Sequence, residues 1–251
     1  MKKLNKFFKA GSALAGEATN LALSSLLPGH EAITSMLGGT AGSIVTDVIN
    51  DIADRALSKQ ESVRVSACAA LIIENINDRM MMGEEIRDDD FFLLKVSERP
   101  KAEQIFEGIL LKSKSQYEEL KVKLLANLYS NACFDNSLTP SIISFYMQTL
   151  DRVTYEHIIT LYEFVLIGDE TNWVDGDISY FFQHDKEVGI HIIELRSLSM
   201  ISEGFWGDSV LGATTIGANF IKAIGFEKVY TDRRPHIVAD YEARKKMKAG
   251  N

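Results

Sequence analysis

The chain has 251 residues, of which 46% are hydrophobic and 25% charged, and its formal net charge is −8. These fractions are those of an ordinary globular protein and exclude a fibrous, collagen-like or largely disordered chain. The 4 prolines and 17 glycines favour long helices over many short strands. The two cysteines, Cys68 and Cys133, do not make a disulfide framework and indicate a reducing compartment.

The first nine residues form a short basic segment in which Phe7 and Phe8 stand between lysines. Such a segment is typical of one that lies on an anionic membrane surface. The uncharged runs that follow, residues 18–30 and 32–46, have 13 and 15 residues, fewer than the ~20 that a spanning helix needs. We therefore expect a cytoplasmic protein, with peripheral association at the inner membrane as the alternative.

Gly38 and Gly42 are four residues apart within the small-residue helices that we expect over residues 1–57. Glycines at this spacing let a second helix approach closely, which means tight packing in a soluble protein and helix association in lipid. Both uses stay open. The N-terminal helices either pack in the core or engage a membrane.

Residues 58–150 predict a bundle of helices, whose centre is a helix over 61–82. Its middle, residues 67–73, is apolar nearly all round and should be covered on every side. We expect the three methionines at 80–82 in the core, because methionine fills irregular gaps well. The acidic stretch 83–90 predicts a solvated loop or helix cap rather than a divalent-ion site.

Further helices are predicted in chain order up to residue 167. They cover residues 101–112, 116–132, 140 to about 150, and 154–167. Thr139 is the predicted cap of the third, with Pro140 at its first position, where a missing N–H costs nothing.

The pattern then changes and predicts a winged-helix-like module over residues 151–225. After the helix at 154–167 it contains two short helices, at 178–183 and 187–198, a hairpin within 200–211 and a helix at 215–224. The predicted fold class is therefore mainly α, a multi-helix bundle followed by a winged-helix-like C-terminal module with one short β-hairpin.

Charge is distributed unevenly along the chain. Residues 136–225 carry 4 basic and 12 acidic groups, and the predicted recognition helix has one arginine, Arg196. Since phosphate contacts need Lys and Arg, we expect no specific binding of duplex DNA. Residues 226–251 form a basic tail, whose clustered cations are Arg233, Arg234, Arg244, Lys245, Lys246 and Lys248.

The sequence contains no phosphate-binding glycine loop, no hydrolase nucleophile elbow and no cysteine pair for zinc. The one candidate for chemistry is a metal site at His184, Glu187 and His191, which would share a face of a single helix. Asp185 resembles a helix cap and Gly189 weakens such a helix, so an ordinary polar face with surface histidines is favoured. We expect no catalytic residue, no metal and no cofactor.

Several short motifs resemble those of the abortive-infection alpha (Abi-alpha) family over roughly residues 100–225. They are Glu118-Glu119-Leu120, Leu124-Leu125-Ala126-Asn127-Leu128, Thr139-Pro140-Ser141-Ile142-Ile143, Thr149-Leu150-Asp151-Arg152-Val153 and Ala213-Thr214-Thr215-Ile216-Gly217. Val153 and Ile142 depart from the proline and the aromatic residue that are common there. The resemblance implies a bacterial or phage protein linked to phage resistance, with no catalytic residues attached.

Three functions follow from these patterns. The first is a non-enzymatic helical protein in phage defence that acts by binding a protein partner. The second is a membrane-active effector that uses the N-terminal helices, and the third is a winged-helix regulator that binds nucleic acid. The oligomeric state is left open.

Overall fold

A computed structural model of the chain describes residues 48, 51–52, 57–93, 98–167, 174–175, 183, 185–203 and 210–230. The chain divides into two compact units, residues 1–151 and 152–251. The described residues are mainly helical, with seven α-helices, a 3₁₀ helix at Phe226–Lys228 and three short strands. The helices are α1 (Lys59–Met81), α2 (Lys101–Ser115), α3 (Glu119–Ala132), α4 (Pro140–Arg152), α5 (Tyr155–Ile167), α6 (Lys186–Ser197) and α7 (Thr215–Ala223), and the strands are β1 (Val174–Asp175), β2 (Ile201–Glu203) and β3 (Val210–Ala213).

Helix α1 begins at a capping box. The Ser58 hydroxyl accepts a hydrogen bond from the Glu61 N–H at 3.4 Å, and the Glu61 carboxylate accepts one from the Ser58 N–H at 2.8 Å. These bonds satisfy backbone groups that a helix start leaves without a partner. The predicted all-round apolar run at 67–73 is buried throughout, so α1 is the central helix of the first unit.

Helices α2 and α3 cover α1 and pack against each other. Phe106 of α2 and Tyr129 of α3 are both fully buried, and their rings lie 5.0 Å apart. The Tyr129 hydroxyl donates to the Ala102 carbonyl at 3.3 Å, which satisfies its polar group inside the core. Burial raises the pKa of this hydroxyl well above its ordinary value.

Helix α4 starts as predicted, with Thr139 accepting a backbone N–H bond at 3.4 Å and Pro140 at the first position. It lies against α2 at a glycine. A Cβ atom on Gly108 would stand 3.0 Å from Cε of Met147, so the missing side chain leaves room for the methionine's terminal methyl group.

The segment between α1 and α2 is anchored by Arg87. Residues 83–85, 88 and 90 of the predicted solvated loop or helix cap are exposed, and Arg87 is the exception. The Arg87 side chain is only 5% exposed. It pairs with Asp89 and donates to the carbonyls of Ala132, Asp135 and Leu138 at 3.0–3.1 Å. The arginine thus supplies a cation to the C-terminal end of α3, where helix carbonyls have no partner within the helix.

The predicted core position of the methionines at 80–82 is also wrong. Met80 is half-buried, and Met81 and Met82 are 76% and 77% exposed. The last buried residue of α1 is Ile76. The helix therefore extends more than a turn past the core that its earlier part fills, and its final side chains stand in solvent.

In the second unit, helices α5, α6 and α7 and strands β2 and β3 contribute buried side chains to one core. Helix α5 contacts both other helices and β3, and eight of its 13 residues are buried. The sheet is antiparallel and has the order β1-β3-β2. Ile201 pairs with Ala213 across the predicted hairpin, and Val174 pairs with Leu211. Strand β1 lies in a segment whose residues predicted only turns.

The first turn of α7 packs closely against the backbone of Met200. Thr214 caps the helix by accepting a bond from the Gly217 N–H at 3.0 Å, while its own N–H donates to the Met200 carbonyl at 2.9 Å. A Cβ atom on Gly217 would overlap this carbonyl oxygen. The helix ends before Gly225, whose φ of 59° is the left-handed value that glycine adopts without strain.

Little of the predicted N-terminal region lies in the described residues. Val48 and Ile52 are described, and both are buried. Across the described ranges, no helix combines the length and the apolar composition that crossing a membrane requires. The predicted boundaries at residues 57 and 225 stay predictions.

Candidate functional site

Helix α6 carries apolar side chains on two faces. Its inner face buries Val188, Ile192 and Leu195 in the core of the second unit. Ile190 and Ile193 point away from that core and are 56% and 48% exposed. Because residues three and four apart share a face of a helix, these two isoleucines form one stripe with two exposed polar residues, Lys186 and Ser197. We call these four residues the outer face of α6.

The helix that presents this face has a firm start. The Asp185 carboxylate accepts hydrogen bonds from the N–H groups of Glu187 and Val188 at 3.1 and 3.2 Å. An aspartate at this position satisfies two backbone donors and places negative charge at the positive end of the helix. The predicted role of Asp185 as a cap is confirmed, and the outer face begins directly after it.

The basic groups near this face are engaged by other side chains. Arg152 donates to the Glu194 carboxylate at 2.5 Å and to the Ser197 hydroxyl at 2.9 Å. Arg196 is half-buried. Of the two cations of α6, Lys186 is exposed and Arg196 is not. The chemical character of the outer face is apolar rather than basic.

His191 lies on the inner side of α6, and its predicted place on the surface is wrong. Its ring is buried, its Nδ1 lies 2.8 Å from the Thr160 hydroxyl oxygen, and the His157 ring is 4.2 Å away between centroids. Glu187 is exposed on the helix surface, so these two proposed metal ligands face different surroundings. The third, His184, lies outside the described residues.

Among the residues that the structure describes, no three His, Cys, Asp or Glu side chains come together as a metal site would require. Both thiols, Cys68 and Cys133, are fully buried, and burial raises the pKa of each to about 12. A thiol with such a pKa is protonated at neutral pH and is a poor nucleophile or metal ligand.

The remaining predicted site residues have no described position. The helix-contact or membrane residues Gly38, Gly42, Phe7 and Phe8 lie outside the described residues, as does the basic tail of Arg233, Arg234, Arg244, Lys245, Lys246 and Lys248. Their predicted roles stay predictions.

The signal for the outer face of α6 is present in the sequence, in the spacing of its apolar residues. Val188, Ile192 and Leu195 already supply one apolar stripe at helical spacing. Ile190 and Ile193 form a second stripe on the same twelve-residue helix. A single core can cover only one of two apolar stripes on a helix, so the second stripe is left exposed.

Comparison with known protein families, with curated proteins and with solved structures gives no match to this chain.

Proposed function

We propose that this chain is a non-enzymatic interaction protein whose C-terminal unit is a winged-helix module that binds a protein partner. The binding surface is the outer face of α6. The observation that carries the proposal is the exposure of Ile190 and Ile193 on a helix whose opposite face is already buried.

The sheet order supports the winged-helix assignment. A winged helix has a three-stranded sheet made of a hairpin and one further strand. That further strand follows the first helix and pairs with the second strand of the hairpin. Here β1 follows α5 and pairs with β3, the second strand of the hairpin. Helix α6 directly precedes that hairpin and so takes the place of the recognition helix.

The chemistry of the outer face favours a protein over a nucleic acid. DNA-reading helices place Arg, Lys, Asn or Gln against bases and phosphates. Ile190 and Ile193 offer neither charge nor hydrogen-bond donors in their side chains. Two aliphatic anchors three residues apart on one helix face instead fit an apolar groove of a partner protein.

The decisive experiment is photo-crosslinking inside cells with a benzophenone amino acid at position 190 or 193. The matched control carries it at position 222, which is exposed on α7, the next helix along the chain. We expect one discrete crosslinked protein from 190 and 193 and none from 222. The variant Ile190→Asp with Ile193→Asp should have the same melting temperature as the unchanged chain. Used as a competitor, it should not reduce the amount of crosslinked product. Equal crosslinking from all three positions would contradict the proposal.

Phage defence is the setting that we propose for this binding, on the strength of the resemblance to Abi-alpha proteins. The α3 and α4 segments that carry two of those motifs are helical, and α4 begins at Pro140. The test is the plating efficiency of a phage panel on bacteria that produce the chain. Protection should be lost with the Ile190→Asp, Ile193→Asp variant. Absence of protection by the unchanged chain would remove the setting, while the crosslinking result would still decide on binding.

A further inference from the structure

The end of helix α1 presents a second apolar surface, on the first unit. Met81 and Met82 are adjacent in the chain and are 76% and 77% exposed. Contiguous exposed apolar side chains mark interaction sites more often than isolated ones do. Methionine side chains are flexible and polarizable, and they suit surfaces that accept another apolar helix.

This end of α1 is held in place by side-chain contacts. Arg79 donates to the Glu84 carboxylate at 2.5 and 2.8 Å and to the Asn131 side-chain oxygen at 3.0 Å. Its guanidinium also lies 4.0 Å from the centre of the Phe134 ring. The chain turns at Gly83, with a φ of 85°, and the space beside it is open. The backbone that carries the two methionines is therefore held in one position by these contacts.

The charge around the methionines is negative. Asp78 precedes Met81 and Met82 by three and four residues, which places it on their side of the helix. Glu84 and Glu85 follow and are exposed. Glu84 is already paired with Arg79, so Glu85 is the glutamate that adds net negative charge beside the methionines. The C-terminal end of a helix adds a partial negative charge of its own. The two methionines are therefore an apolar pair with carboxylates on either side. Such a surface is complementary to a helix whose apolar stripe is flanked by lysines or arginines.

We propose that Met81 and Met82, with Glu85, bind a basic amphipathic helix of a partner protein. The apolar side of that helix packs on the two methionines, and its lysines or arginines face Glu85 and the negative C-terminal end of α1. This surface is distinct from the outer face of α6 and does not depend on the function proposed for it.

The first test uses the full-length chain labelled with ¹³C at the methionine methyl groups. The probe is a synthetic helix of leucine and lysine in amphipathic order, and the matched peptide has glutamate in place of lysine. The chain has 8 methionines, and the variants Met81→Leu and Met82→Leu assign the two signals. We expect the lysine peptide to shift the Met81 and Met82 signals most and the glutamate peptide to shift neither. Larger shifts at other methionines would overturn the proposal.

The second test compares affinities for the lysine peptide by fluorescence anisotropy. We expect Met81→Ser with Met82→Ser to weaken binding at least tenfold, and Glu85→Gln, which leaves the Arg79–Glu84 pair in place, to weaken it severalfold at low salt. The matched control is Ile142→Ser with Phe145→Ser, which removes two exposed apolar side chains of α4 in the same unit. The control should bind within twofold of the unchanged chain. Equal losses in all three variants, or no loss in the first, would overturn the proposal.

Discussion

The guanidinium of Arg87 donates a hydrogen bond to the backbone carbonyl of Ala132, the last residue of α3, at 3.1 Å. The same side chain reaches the carbonyls of Asp135 and Leu138 in the following turn. It also lies 4.5 Å from the centre of the buried Phe91 ring. A single arginine thus joins the segment after α1 to the end of α3, and it does so almost without exposure to water.

Replacing Arg87 by alanine should destabilise the first unit by about 3 kcal/mol, because it leaves buried carbonyls and Asp89 without their cation. The control is Arg99→Ala. Arg99 also pairs with carboxylates, those of Glu103 and Glu107, but its side chain is 51% exposed, and its loss should cost about 1 kcal/mol or less. Urea unfolding measures the loss of stability in each variant, and hydrogen exchange of the α3 amides shows whether the loss is felt at that helix. Similar costs for the two variants would contradict the role assigned to Arg87.

The pairing with Arg87 also predicts how stability depends on acid. The hydrogen bond from Arg87 to the Asp89 carboxylate lowers the pKa of Asp89 below its ordinary 3.8. The folded chain therefore holds this carboxylate ionised at a pH where the unfolded chain protonates it. The stabilisation is complete above pH 3.8 and is lost as the pH falls through the folded pKa.

We accordingly expect Asp89→Asn to be less stable than the unchanged chain at neutral pH, with a difference that narrows below pH 3.8. Urea midpoints at pH 7, 5, 4 and 3 give the comparison. Asp88, which is exposed in the same segment, provides the control variant Asp88→Asn. A constant difference between Asp89→Asn and the unchanged chain at every pH would rule out the linkage.

Local sequence signals predicted the helices well where the cause of the structure is local. Thr139 with Pro140, and Gly225 after the last helix, act over three or four residues, and the structure has them in their predicted roles. The mainly helical class followed from the 3.6-residue periodicity of the apolar side chains.

The features that the sequence missed depend on residues far apart in the chain. Arg87 binds carbonyls more than 40 residues away, and nothing adjacent to it indicates which helix end it reaches. Strand β1 has two residues and exists through its pairing with β3. The exposure of Met81 and Met82 depends on where the core around α1 ends, which is set by α2 and α3.

The tight start of α7 predicts a large cost for one added methyl group. Gly217→Ala places a Cβ atom against the Met200 carbonyl oxygen and 3.0 Å from Cδ1 of the buried Leu161. The first of these atoms belongs to the backbone, which cannot turn aside as a flexible side chain does. We expect a loss of about 2–3 kcal/mol in the second unit.

The control for Gly217 is Gly108→Ala on α2. There the added Cβ meets the terminal methyl group of Met147 at 3.0 Å, and a flexible side chain turns aside easily. Since alanine favours a helix over glycine by about 1 kcal/mol, the net change should be close to zero. Thermal unfolding followed by circular dichroism distinguishes the two variants. A Gly217→Ala protein as stable as Gly108→Ala would show that α7 does not sit this close to Met200.

The apolar outer face of α6 predicts weak DNA binding despite the proposed winged-helix arrangement. Arg152 is engaged with Glu194 and Ser197, and Arg196 is half-buried. In a gel-shift assay we expect any binding of duplex DNA to be independent of sequence and to disappear by about 200 mM salt. Arg196→Ala should not change it. Submicromolar binding that requires Arg196 would contradict this prediction.

The exposure of the methionines predicts the order in which they oxidise. Peroxide reaches a thioether sulfur only where solvent does, and oxidation makes that side chain polar. Met81 and Met82 are largely exposed, whereas Met200 is fully buried in the second unit. Under dilute hydrogen peroxide we expect sulfoxide on Met81 and Met82 while Met200 stays unmodified, as measured by mass spectrometry of tryptic peptides. Unfolding in urea should remove the difference, because all three sulfurs then meet solvent equally. Early oxidation of Met200 in the folded chain, or slow oxidation of Met81 and Met82, would contradict the burial described for them. In the second case it would also mean that the end of α1 is already covered, and the surface proposed for a basic helix would not be open to one.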